Sequence, residues 1–213
     1  MKDIYIVGED PVTKAIICRL IKDYSHQLKI ALEIPARGGQ IKGSIAKFNR
    51  LAESIPVVLL LDLDANNCAP ELKRILLNGM EHNPRFVINV AVDEGESWLF
   101  ADKENFARYL HLDPALIPNS CNLRMNGPRM VREVYTEQKP SRLLTHGLAL
   151  RSSDTNIRKQ IGVNDVNEKC KGNEYNAVIV PFIYEVWNPE VARQNSDSLN
   201  RMILRIQQLD LNN

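Results

Sequence analysis

The sequence predicts an α/β protein: a mostly parallel four-stranded sheet flanked by helices, followed by a C-terminal helical extension. Three observations predict it. Four apolar runs, at 3–8, 28–34, 56–61 and 85–92, read as strands. Segments with helical spacing of apolar residues separate them, and this alternation is the mark of parallel strands joined by helical crossovers. Acidic residues follow three of the four runs, where ligands collect in such sheets.

The first run ends in Ile4-Tyr5-Ile6-Val7-Gly8-Glu9-Asp10, and Pro11 is suited to open the next helix. From Val12 to Tyr24, Ile16, Ile17, Leu20 and Ile21 recur at helical spacing. Leu28, Ile30, Leu32 and Ile34 alternate as in a strand, and Pro35-Ala36-Arg37-Gly38-Gly39 reads as a loop. A helix is expected over 43–53, with Ser44 near its start. The run Val57-Val58-Leu59-Leu60-Leu61 is continuous, as for a strand buried on both faces, and Pro70 opens a helix through Leu77. After the fourth strand, 95–110 reads as one helix carrying Trp98, Leu99, Phe106 and Leu110. Residues 113–128 hold Pro114, Pro118, Gly127 and Pro128 and read as loop, and short helices are expected over 128–137 and 155–161. An apolar segment follows within 172–188, and an amphipathic helix over 196–209 closes the chain. The expected division is a core over 1–110 and a helical extension over 111–213, without a clear linker between them.

Composition narrows the function. The chain has 213 residues, 44% hydrophobic and 25% charged, with a formal net charge of +1. That balance is ordinary for a globular protein and argues against a general electrostatic nucleic-acid binder, while leaving room for a local basic groove. No run approaches the ~18 apolar residues of a membrane span. The chain enters a strand without a charged and apolar leader, so a cytoplasmic location is expected. Cys18, Cys68, Cys121 and Cys170 stand about 50 residues apart, with no Cys-x-x-Cys pair. Neither a zinc site nor a disulfide frame is indicated. His26, His82, His111 and His146 lack ligand spacing, and no Gly-x-x-x-x-Gly-Lys-Ser/Thr loop is present.

The chemistry lies in the acids. Asp62 and Asp64 sit two apart after the third strand, so strand alternation would point both the same way. Glu9, from another strand end, would add a third hard oxygen ligand. Such a set suits Mg2+ or Mn2+, and Mg2+ chemistry is usually phosphate chemistry. The competing role for Asp62 and Asp64 is helix capping, but Pro70 begins its helix too late for Asp64 to cap it. Glu9 could instead be an acid at the start of the Pro11 helix. Glu94 and Glu96 are further candidate metal ligands, because crowding them near the two aspartates without a cation would be repulsive. Their competing role is as first-turn acids of the 95–110 helix. Arg124, Arg129, Arg132, Lys139 and Arg142 form a sparse basic series. In it Arg129 and Arg132 are candidate nucleic-acid or phosphate contacts, against a solvated surface as the alternative. Lys171, in a loop with Gly172 and Asn173, is a candidate phosphate contact.

A strand ending near a glycine and a glutamate, then a helix, then a strand ending in Asp-x-Asp, resembles the Toprim pattern of topoisomerases, primases and OLD-type nucleases. Glu94-Gly95-Glu96-Ser97-Trp98-Leu99-Phe100-Ala101-Asp102 is similar to the Glu-x-Glu-x-Trp-Leu-hydrophobic-Ala-Asp signature of small Toprim-like proteins of the DUF4276 type. So are Lys171-Gly172-Asn173-Glu174-Tyr175-Asn176, the stretch Ile179-Val180-Pro181-Phe182, Trp187 with Pro189, and the helix holding Ser198, Leu199 and Arg201. One departure stands out: the pattern places the glutamate before the glycine, and here Gly8 precedes Glu9.

The resemblance implies a Toprim-like (Rossmannoid) core and a metal-dependent nuclease acting on DNA or RNA. Asp62 and Asp64 would hold the metal, Glu96 and Glu94 would add ligands, and Glu9 would be the catalytic acid or base. It also implies service as effector of a bacterial anti-phage system, beside an AAA or ABC-type ATPase. A second copy of the chain is a further open partner. No tyrosine-bearing cleavage domain fits in 213 residues, and no zinc-ribbon cysteines are present, which disfavours topoisomerase and primase. Two rivals stay open: an inactive Toprim-like module that binds an ATPase or nucleic acid, and a phosphotransfer or phosphatase enzyme using the Asp-x-Asp.

Overall fold

The computed structural model describes residues 1–36, 38–63, 68–124, 130–165 and 174–212. The chain divides into two compact units, Met1–Val92 with Ser198–Asn213, and Asp93–Asp197.

The first unit is the α/β part. Its strands are β1 (Lys2–Gly8), β2 (Leu28–Glu33), β3 (Val57–Asp62) and β4 (Phe86–Ala91), all parallel, in the order β2-β1-β3-β4. Helix α1 (Pro11–Tyr24) links β1 to β2. The short helices α2 (Gly39–Gly43) and α3 (Ile45–Leu51) lead to β3, and α4 (Ala69–Leu77) leads to β4. The helix expected over 43–53 is α3, and α2 precedes it, mostly outside that range, with Ser44 between them making no side-chain cap.

Chain direction explains the layering. β2 lies to one side of β1 and β3 to the other, so right-handed crossovers must send the connecting helices to opposite faces. One face of β1, β3 and β4 presents Val7, Val57, Leu59, Leu61, Phe86 and Ile88, packed with Ile41, Ile45 and Phe48 of α2 and α3. Helix α1 packs on β1 and β3, with Val12, Ala15, Ile16, Ile17, Leu20 and Ile21 buried. Leu32 is 46% exposed although it belongs to an apolar alternation. β2 is an edge strand, and a bulge shifts its register between Ile4↔Ile30 and Tyr5↔Leu32, which breaks the alternation.

The closing helix α11 (Asp197–Asn212) lies almost wholly in the first unit and buries Leu199, Met202, Ile203, Ile206 and Leu209 along one stripe. Near its end, Asp210 accepts hydrogen bonds from Ser25 Oγ at 2.6 Å, from Gln27 N–H at 2.9 Å and from His26 N–H at 3.1 Å. Burial opposes ionisation of Asp210, but these donors outweigh it and hold the carboxyl below its usual range. A lowered acid stabilises the fold above its unfolded pKa of about 3.9, and that contribution is lost as pH falls through the folded value. Asp210→Ala is therefore expected to cost about 2 kcal/mol near neutral pH, from lost charge-assisted bonds. In thermal melts at pH 7 and below pH 3, the gap between wild type and variant should shrink at the acidic end. A constant gap would mean that the carboxylate charge is immaterial.

The second unit is mainly helical. It contains α5 (Gly95–Phe100), α6 (Lys103–Tyr109), α7 (Pro140–Leu143), α8 (Thr155–Ile161), α9 (Tyr175–Pro181) and α10 (Pro189–Ala192). The helix expected over 95–110 is two, interrupted at Ala101 and Asp102. The buried Asp102 carboxylate accepts the Asn188 N–H at 2.7 Å and the Asn105 side-chain amide at 3.0 Å. The helix expected over 128–137 is instead a strand, β6 (Met130–Val134), antiparallel to β5 (Ser120–Arg124), which falls in the expected loop. Two valines in five residues suit a strand, but the pairing partner was not visible locally. Phe100, Phe106 and Phe182 form an edge-to-face chain with centroids 5.1 and 5.2 Å apart, and Trp187 Nε1 donates to the Trp98 carbonyl at 3.2 Å. Among the described residues, no helix is long and apolar enough to cross a membrane.

Candidate active site

The strand order creates a topological switch between β1 and β3, because the connection from β1 leads to β2 on one side and the connection from β3 leads to β4 on the other. Gly8 of β1 pairs with Leu60 of β3, so the carboxyl ends of these two strands are adjacent. Glu9 follows the last residue of β1, and Asp62 is the last residue of β3. Both are half-buried at this end. The sheet thus brings together Glu9 and Asp62, two of the sequence-predicted residues, at the place where open α/β sheets bind ligands.

Local sequence explains the geometry at Glu9. Asp10, not Glu9, caps α1: Asp10 Oδ1 accepts from Thr13 N–H at 2.9 Å, and Thr13 Oγ1 accepts from Asp10 N–H at 3.0 Å. Glu9 lies outside the helix, before its cap, and the first turn contains no acid. Glu9 is therefore not a first-turn acid of α1. Gly8 lets this turn close. A Cβ there would lie 2.8 Å from Lys14 N and from Lys14 Cγ, and 2.9 Å from Thr13 Oγ1. The order Gly8 then Glu9 is what allows the helix to start immediately behind the strand.

Strand pairing continues one residue past Asp62, through Leu63 N–H to the Ala91 carbonyl at 3.0 Å, but β3 ends at Asp62. Asp64, Arg129 and Lys171 lie outside the described residues. Among the described residues, no group of three or more His, Cys, Asp or Glu is gathered closely enough to hold a metal. Glu9 and Asp62 are two carboxylates, the hard oxygen donors that Mg2+ takes, often one or two at a time with water completing the shell.

Glu94 and Glu96 belong to the second unit, where each has a partner. Glu94, only 6% exposed, accepts the Ser141 N–H at 2.8 Å in the first turn of α7 and lies 3.4 Å from Lys139 Nζ. Glu96, 2% exposed, accepts from the Tyr175 hydroxyl at 2.7 Å. Asp93, of the same acidic stretch, adopts φ of 70° and accepts from Thr136 Oγ1 at 3.3 Å. Burial and then the neighbouring Glu94 charge push its carboxyl up to about 6, against the Thr136 hydrogen bonds and Lys139. Asp93 was not singled out from sequence. Its one signal was membership of an acidic run, since its left-handed backbone is not encoded by residue type. Arg132 lies exposed on β6. Its backbone N–H donates to Asp197 at 2.9 Å, and its guanidinium reaches the Gln194 carbonyl at 3.4 Å.

A family model described as a domain of unknown function, DUF4276, matches residues 8–207. The chain belongs to the DUF4276 family. No curated protein and no solved structure matches it. The DUF4276 match begins at Gly8 and runs into α11, so it spans both units and includes the acidic strand ends together with the acids of α5.

Proposed function

We propose that this DUF4276 protein is a Toprim-like nuclease that uses Mg2+ or Mn2+ to cleave phosphodiester bonds of DNA or RNA. One observation carries this reading: Glu9 and Asp62 occupy the adjacent carboxyl ends of β1 and β3 at the switch point of the parallel sheet. Asp62 holds the metal, with Asp64 as the second aspartate of the Asp-x-Asp. When bound, the metal lowers the pKa of a coordinated water and neutralises charge on the scissile phosphate. Glu9 exchanges a proton at the reacting oxygen. Arg132, Arg129 and Lys171 position the nucleic-acid backbone through phosphate contacts. Glu96 and Glu94, the other acids of the expected set, belong to the second unit, where the Tyr175 hydroxyl and the Ser141 N–H donate to them. The chain has no Walker-type loop, so any coupling to ATP comes from an AAA or ABC-type partner, as in an anti-phage defence complex.

A calorimetric titration of Mg2+ and Mn2+ tests the reading, with wild type run beside Asp62→Asn/Asp64→Asn and followed by cleavage assays on DNA and RNA. The expected result is saturable binding and metal-dependent cleavage in wild type, with both lost in the double variant. Cleavage that survives the double substitution would overturn it. So would complete inactivity in both metals, which would favour the interaction-module alternative.

A further inference from the structure

A second region of the first unit shows a different chemistry. A cavity of about 530 Å³ runs along the open edge of β4, between α4 and α11. Lys73 of α4, Arg205 of α11 and Arg85, just before β4, all line it. No carboxylate is among the lining residues, and neither Lys73 nor Arg205 has a carboxylate partner among the described residues. Both are half-buried.

Assembling such cations is unfavourable unless an anion joins them or one of them gives up its proton. Burial, followed by the Arg205 and Arg201 charges, lowers Lys73 to about 7. Arg205 is fixed in place: one guanidinium nitrogen donates to the Ile88 carbonyl at 3.1 Å and to Asn89 Oδ1 at 2.9 Å. A guanidinium carries five N–H donors, and the others of Arg205 have no partner among the described residues. Asn89 Nδ2 is likewise a buried donor without a partner. The rest of the wall is largely apolar, including Leu77, Phe86 and Leu209.

We propose that this cavity binds a small organic phosphate ester, with the phosphate on Lys73 and Arg205 and the organic body against the apolar wall. The volume falls within the roughly 300–1,000 Å³ range of small-ligand pockets and is too confined for a duplex. Arginine supplies planar, bidentate recognition of phosphate, and lysine supplies a point charge. The site is separate from the acidic strand ends. It flanks Phe86–Ile88, paired with Val57–Leu59, whereas Asp62 pairs with Ala91, some three residues or about 10 Å further along β4. The inference goes beyond the nuclease reading and does not depend on it.

The test is a calorimetric titration of the full chain with adenosine 5′-monophosphate, inorganic phosphate and adenosine, in EDTA so that no metal takes part. The monophosphate is expected to bind with a dissociation constant below about 1 mM, more tightly than inorganic phosphate, with adenosine not binding. Lys73→Met, which removes a half-buried charge and keeps the stem, is expected to weaken binding at least about 10-fold at an unchanged melting temperature. Gln208→Trp, which fills the cavity from its rim, is expected to weaken binding similarly, while Asp62→Asn leaves it intact. No saturable binding, binding indifferent to Lys73→Met and Gln208→Trp, or adenosine binding as well as its monophosphate would each overturn the proposal.

Discussion

Asp62→Asn is expected to lower Mg2+-dependent phosphodiester cleavage by on the order of 100-fold, equivalent to about 2.7 kcal/mol of barrier. The amide keeps the size of the carboxylate and can still accept one hydrogen bond, but it supplies no charge to a divalent cation. Because Asp62 ends β3 and is half-buried, the backbone pairing of Leu63 with Ala91 should survive the change. A second readout separates loss of metal from loss of fold. Mg2+ stabilises whatever state it binds, so the wild-type melting temperature should rise with added Mg2+. The variant's should not, while without metal the two should melt within a degree or two of each other. Equal cleavage by the two proteins would remove Asp62 from the reaction. A metal-free variant that melts far below wild type would assign Asp62 to the fold.

Gly8→Val is expected to cost about 3 kcal/mol or more, through overpacking where the chain cannot yield. At this chain length that corresponds to a fall in melting temperature of roughly 6–12 °C. The clash is partly with Lys14 N, a backbone atom in the first turn of α1, and with the Thr13 hydroxyl of the capping box. A long flexible side chain could move aside; these groups can move only by shifting α1 away from β1 or breaking the cap. Gly8→Ala should show a smaller loss in the same direction. Either shift would displace Glu9 relative to Asp62, so metal-dependent activity should fall further than the stability loss explains at a temperature where the variant is still folded. An unchanged melting temperature in Gly8→Val would mean that the helix start is not anchored by this contact.

Much of the first unit was legible from the chain alone. β3 is a continuous apolar run up to Asp62, and β4 is one broken only by Asn89, because both of their faces are covered, and such runs need no knowledge of neighbours. The start of α1 was legible from Pro11, although the capping box between Asp10 and Thr13 went unnoticed. Leu32 was misleading, because an apolar alternation cannot reveal that its strand lies at an edge and carries a bulge. β5 and β6 were missed for a related reason. Each is a short, partly exposed strand stabilised by the other, so neither stands out locally.

The site was legible to the same degree. Glu9 and Asp62 follow apolar runs, so their placement at the carboxyl ends of β1 and β3 could be read from the sequence. The hydrogen bonds from Ser141 to Glu94 and from Tyr175 to Glu96 join residues far apart in sequence, and nothing near the two acids announced them. Lys73 and Arg205 are each unremarkable in their own helices and become a charged cavity only when α4 and α11 flank the edge of β4.

The sequence by itself determined the fold class and which acids end its strands, because burial periodicity and side-chain alternation are carried by consecutive residues. Only the tertiary structure decided that β1 and β3 are neighbours, that Gly8 must lack a side chain, and that Lys73 and Arg205 face one cavity that no carboxylate lines. Those outcomes depend on strand order and helix approach, which arise from contacts between segments that no local pattern connects.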